Sequence, residues 1–139
     1  HPDFNVGLLL YEEIIERATR YTWTEAADGL WSNGGVYNSK YIFPNLRFRP
    51  LDNWEAIGAF LVAWPHKPDG AIFLTDEDAN DNILGWEVDA AIKHRWHEHL
   101  NFTLEYGLAQ VSDRIPVEAL GITNDGRVWT FQSRMAYEF

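Results

Sequence analysis

The chain has 139 residues, enough for one domain, and 21 Asp+Glu against 11 Lys+Arg give it a formal charge of −10. That balance excludes the basic footprint of a nucleic-acid binder, and zero Cys excludes disulfides, thiolate metal sites and Cys nucleophiles. An apolar share of 46% argues against disorder, while 15% aromatics with seven Trp point to a large core, a carbohydrate-binding surface or a membrane-interface belt.

The chain opens on His1-Pro2 with no Met and no signal peptide, which reads as a mature product or a piece of something longer. Residues 1–35 read as a short amphipathic helix and a loop. Asp3 or Asn5 can cap the helix, and Leu8, Tyr11, Ile15 and Ala18 form an apolar stripe widened by Leu10 and Ile14. Glu13–Arg17 and Glu16–Arg20 are i,i+4 pairs in the favourable orientation. Gly7 and β-branched Ile14 and Ile15 favour a helix less, and 6–11 could instead be a strand. A loop through Asn33-Gly34-Gly35 follows.

From Val36 the apolar period changes to two. Five strands are expected, at about 36–50, 54–64, 83–96, 100–111 and 127–139. In the first, Ile42, Leu46 and Phe48 oppose Asn45, Arg47 and Arg49. In the second, Trp54, Phe60, Val62 and Trp64 share a face, while the other face, with Ile57, Leu61 and Ala63 beside Glu55, is less polar than the pattern asks. The third is clearest: Leu84, Trp86, Val88, Ala90, Ile92 and Trp96 point one way, broken only by His94, and Glu87, Asp89, Lys93 and Arg95 point the other. The fourth alternates Leu100, Phe102, Leu104, Tyr106 and Leu108 with polar or small residues, and the fifth does so with Trp129, Phe131, Met135, Tyr137 and Phe139. Connections alternate between tight (51–53, 97–99) and long and polar (65–82, 112–126). That rhythm is expected of an outer-membrane barrel, with short periplasmic turns and long outer loops.

The longest apolar run, Ala56 to Trp64, is nine residues, well short of the roughly 20 a membrane helix needs. A mean hydropathy of −0.32 reads as soluble, but an alternating membrane strand averages to such a value as well. Trp54 and Trp64 are ten residues apart on one face, and so are Trp86 and Trp96. Ten residues of a strand tilted about 45° rise roughly 23 Å, close to the roughly 25 Å apolar band of an outer-membrane barrel with aromatic girdles at both edges. Trp54, Trp64, Trp86, Trp96, Trp129 and Tyr137 are therefore expected at the membrane interfaces.

The final stretch, Arg127 to Phe139, resembles the carboxy-terminal signal of bacterial outer-membrane β-barrels, which ends in Phe after alternating aromatic or apolar residues. Phe131, Met135, Tyr137 and Phe139 fit that signal, as does Trp129, and Ser133 departs from it. The segment Leu84-Gly85-Trp86-Glu87-Val88-Asp89 is also similar to late hairpins of alginate-export and related porin-like barrels, a short match that fixes no substrate. The resemblance implies an all-β, antiparallel transmembrane β-barrel segment over 36–139 in the bacterial outer membrane, with recognition of the last strand by the barrel-assembly machinery and with lipid as its surroundings. A chain end at the periplasmic rim would place 51–53 and 97–99 on the periplasmic side, and 1–35 at the extracellular mouth or in the lumen. Five strands cannot close a barrel, since the smallest have about eight and an open edge in lipid leaves backbone groups unpaired. Another polypeptide, or a missing amino-terminal part, is therefore expected to complete the wall.

On this reading Arg47, Arg49, Glu55, Glu87, Asp89, Lys93, Arg95, Glu105, Arg134 and Glu138 face the lumen, either as a pore lining or as a polar network filling the interior. The expected role is passive solute passage or export, or a structural barrel of a surface complex, without catalysis and without a cofactor. Asp76, Asp78, Asn80 and Asn82 have EF-hand-like spacing, but Asp81 stands where the loop needs Gly, so only a looser Ca²⁺ site is conceivable. His94, His97 and His99 cluster at a turn, where His97 and His99 could share a face but have no third zinc ligand of clear geometry. Glu87 and Asp89 lie about 7 Å apart on one strand face, but nothing supplies the matching acid environment that glycosidase work needs. No nucleophile-elbow, Walker or dinucleotide motif is present. The competing class is a soluble, acidic β-sandwich that binds carbohydrate through surface aromatics.

Overall fold

The computed structural model describes residues 9, 10, 14, 39–66, 82–113, 115, 121, 122 and 124–137. They form one antiparallel sheet of six strands: β1 (Ser39–Ile42), β2 (Asn45–Leu51), β3 (Trp54–Pro65), β4 (Gly85–His97), β5 (Leu100–Val111) and β6 (Arg127–Tyr137). The order is β1-β3-β4-β5-β6, with β2 also on β3, and the sheet does not close. Four of the five expected strands fall within a few residues of their expected ends.

The expected first strand is divided. Pro44 has no N–H to give the ladder, so regular pairing stops at Phe43-Pro44. The Pro44 carbonyl still accepts from Phe60 N at 3.0 Å, and the register resumes without a slip, from Ile42 opposite Val62 to Asn45 opposite Ala59. β1 and β2 are therefore two pieces of one line along β3. The expected helix lies outside the described residues apart from Leu9, Leu10 and Ile14, where Ile14 N donates to Leu9 O at 2.9 Å.

Each strand has the period-two division read from the sequence, and the register aligns the faces across the sheet. One face carries Leu46, Phe48, Phe60, Val88, Ile92, Tyr106, Phe131 and Met135, all exposed. Cross-strand pairs such as Phe60–Val88, Ile92–Leu104 and Tyr106–Phe131 join them into a continuous apolar surface. The other face carries all the strand charges except Lys40 and Arg127, and the hydrophobic core of the described residues lies there too, at the end with the long connections. Leu61, Ala63, Leu84, Ala109, Val111 and Ile115 are buried together with Leu9, Leu10 and Ile14.

Two glycines make this end possible. Gly85 leaves no room for a side chain, because a Cβ would stand 2.6 Å from the Gln110 carbonyl and 3.2 Å from the Leu10 side chain. Gly126 leads into β6 at φ +75°, after Asp125 at φ +47°, and Arg127 N donates to Asn124 O at 2.8 Å. Two successive positive φ values closed by that bond have the pattern of a type I′ turn, which Asp-Gly favours.

Candidate functional site: the polar face

The polar face has two unlike halves. Toward the long connections it is sealed. Glu87, in β4, is fully buried, and its two carboxylate oxygens accept from Leu9 N and Leu10 N, each at 2.7 Å. A carboxylate tolerates such a place only when hydrogen-bonded, and bonds to a charged acceptor are the stronger kind. Leu10 and Leu9 then close over Leu61, Ala63, Ala109 and Val111. Glu87 thus lies on the face expected of it and is shut away from solvent by a segment 77 residues distant in sequence.

Toward the short turns the polar face is open. A row runs across four strands, Glu55–Lys93–Thr103–Arg134, each residue directly opposite the next. Arg47 and Arg49 both converge on Glu55, at 3.6 Å and 2.5 Å. Arg134 lies 3.9 Å from Glu105. Arg95 stands opposite Asn101 in the next row. Arg49, Glu55, Lys93, Arg95, Asn101, Thr103 and Arg134 line a concavity of about 680 Å³. Asp89, opposite Ala59 and Gly107, is half-buried between the two halves. Of the ten charges expected on this face, Glu138 lies outside the described residues, and the other nine occupy it.

The aromatic residues expected at the interfaces occupy the apolar face. Near the short turns Trp54 stacks on His94 with ring centroids 4.1 Å apart, Trp96 lies 6.0 Å beyond, and Tyr137 lies 6.0 Å from His99. His94, the one polar residue in the stripe of β4, is accounted for: its ring covers Trp54 and its Nδ1 donates to the Asn53 carbonyl at 3.1 Å. Trp64, Trp86 and Trp129 lie toward the opposite end of the same face. Of the residues matching the terminal signal, Phe131, Met135 and Tyr137 are exposed on this face of β6, and Phe139 lies outside the described residues. Ser133 is also on it, opposite Leu104.

Asp76, Asp78 and Asn80 lie outside the described residues. Among the described residues no three His, Asp or Glu side chains come together as metal ligands. The partners of Glu87 were not foreseen from the sequence, because the donors are main-chain groups that no side chain advertises. The Asp125-Gly126 turn was also missed, although the dipeptide itself was the signal.

No protein-family model matches the chain, and no curated protein or solved structure does. The structure defines a class only: an open antiparallel sheet with one exposed apolar face and one polar face, half sealed and half cationic.

Proposed function

We propose that this chain forms part of the wall of a porin-like β-barrel in the bacterial outer membrane. It serves solute passage or export, or the structural barrel of a surface complex. The observation that carries this reading is the apolar face. Phe60, Ile92, Tyr106, Trp129, Phe131 and Met135 are all exposed on one continuous surface. Soluble monomers rarely expose apolar patches beyond a few hundred Å². Lipid covers such a face without a second protein layer, and aromatic residues near both ends suit the two interfaces.

Two further features support it. Tight turns at 52–53 and 98–99 lie at one end of the sheet, and the long connections at the other. Among the described residues no further strand pairs with the outer side of β1/β2 or of β6, and a membrane wall must pair such edges with further strands. Those strands come from another polypeptide or from more of the same one. We assign no catalytic step. The alternative, a soluble sandwich that binds carbohydrate, needs a second sheet over the apolar face, and the described residues form one sheet.

Gel migration of detergent-extracted protein, unheated and boiled, tests this, with mass spectrometry of each band. A compact unheated band that unfolds on boiling and releases this chain is expected. A 16.1 kDa species that migrates identically in both lanes and stays monodisperse without detergent would overturn the reading in favour of the soluble domain.

A further inference from the structure

We propose that the open half of the polar face is an oxyanion-binding site, centred on Lys93, Arg95 and Arg134. It takes small solutes or groups bearing sulfate, sulfonate, phosphate or carboxylate. The proposal deepens the wall reading by giving the route along the polar face a charge preference.

The chain as a whole is strongly acidic, at −10, so a cationic zone on it is not a by-product of composition. In the open half Arg47, Arg49, Lys93, Arg95 and Arg134 outnumber Asp52, at the tight turn, and the two strand carboxylates Glu55 and Glu105. The two carboxylates are already engaged: Glu55 by Arg47 and Arg49, Glu105 by Arg134 at the long distance of 3.9 Å. Among the described residues Lys93 and Arg95 have no carboxylate within ion-pair distance. Glu87 is six residues along β4 from Lys93, about 20 Å away, and is buried under Leu9 and Leu10. Asp89 is four residues along the strand from Lys93, about 13 Å away.

The shape agrees with the charge. Arg49, Lys93, Arg95 and Arg134 line one concavity of about 680 Å³ that Thr103 and Asn101 also line. Thr103 stands directly between Lys93 and Arg134, and Asn101 directly beside Arg95. A hydroxyl and an amide flanked by an ammonium and two guanidinium groups supply the donors an oxyanion accepts. Arg49, Lys93, Arg95 and Arg134 against Asp52 and Glu55 leave the concavity net positive, and a cleft with such an excess raises the local concentration of the opposite ion by about 10-fold at low salt.

The absence of Cys allows a direct test, because a single introduced thiol is the only one in the chain. In a Thr103→Cys variant, the rates of thiol modification by a sulfonate-bearing and by a trimethylammonium-bearing methanethiosulfonate reagent are compared with those of free cysteine. Relative to free cysteine, the preference is expected to shift toward the sulfonate reagent by about 10-fold at low salt, and to fade at 1 M KCl. Adding Lys93→Glu and Arg95→Glu should reverse the shift, and the milder Lys93→Gln and Arg95→Gln pair should abolish it if the reversals prevent folding. Inorganic sulfate should protect the thiol from the sulfonate reagent better than chloride at equal ionic strength. A shift toward the cationic reagent, a preference indifferent to Lys93 and Arg95, or equal protection by sulfate and chloride would overturn the proposal. The measurement needs no conductance and works with or without detergent, so it can fail while the wall reading stands, and hold while that reading falls.

Discussion

Placing a charge on each face in turn gives the sharpest test of the wall. Ile92 lies near the middle of β4 on the apolar face, exposed, with Ala56 and Leu104 opposite it. Trp86 is six residues before it and Trp96 four after. At about 2.3 Å of depth per residue for a strand tilted about 45°, these stand roughly 14 Å and 9 Å away. Ile92 therefore sits near the midplane of the expected apolar band. An arginine at that depth costs about 2–4 kcal/mol in a membrane barrel, or about 30- to 1,000-fold in the folding equilibrium. Val88 is two residues from Trp86, about 5 Å inside the band, so Val88→Arg should cost about 1–2 kcal/mol. Ala91 is one residue away on the polar face, opposite Ile57 and Glu105, and Ala91→Arg should stay within about 1 kcal/mol. Equilibrium unfolding in lipid vesicles, followed by Trp fluorescence, reads all three. The expected order of cost is Ile92→Arg, then Val88→Arg, then Ala91→Arg. Equal costs at Ile92 and Val88 would refute the depth argument, and a costly Ala91→Arg beside a harmless Ile92→Arg would refute the facing itself.

Three further outcomes rest on local geometry. Glu87→Ala leaves the buried Leu9 and Leu10 amides without their acceptor and should destabilise by about 2–5 kcal/mol, with faster hydrogen exchange at both amides. Exchange there indistinguishable from that of the parent protein would refute the anchor. Gly126→Ala should cost at least about 2 kcal/mol in chemical denaturation, since φ is +75° and its Cβ would stand 2.4 Å from the Val111 carbonyl. Gly121→Ala is the control: φ is +74° with open space around it, so about 1 kcal/mol of backbone strain alone is expected, and equal costs would deny the close approach. His94→Phe should cost less than about 1 kcal/mol, because the Asn53 carbonyl also accepts from Arg95 N at 2.9 Å; a loss above 2 kcal/mol would mean the imidazole bond governs the turn.

The faces were legible in the sequence because side-chain direction in a strand repeats every two residues and needs no knowledge of the partner strand. The same property explains what was hidden. The second expected strand was weakest where Leu61 and Ala63 replaced polar residues on the charged side, and those two residues turned out to form core with Ala109 and Val111. The fault in the alternation was thus the mark of a second layer, visible in the residues but without a partner named in them. The division at Phe43-Pro44 was written in the Pro and overlooked because the period ran straight through it. His94 broke the stripe in sequence and not in space, because its ring lies flat on Trp54.

Pattern alone gives both halves of β4 the same polar face, and it cannot separate a carboxylate that lines a passage from one that is sealed. The difference between Glu87 and Lys93 comes from what covers each. For a solute to pass along the sealed half, Leu9 and Leu10 must leave Glu87. That breaks two charge-assisted hydrogen bonds, worth about 1.5–3 kcal/mol each, before any apolar contact with Leu61 or Val111 is lost. Even the lower figure, about 3 kcal/mol in total, leaves the uncovered state near one molecule in a hundred. The open half has no such cover among the described residues. In the wall reading, the site for solute and the barrier to its passage therefore lie at opposite ends of the same strands, and each can be altered without touching the other.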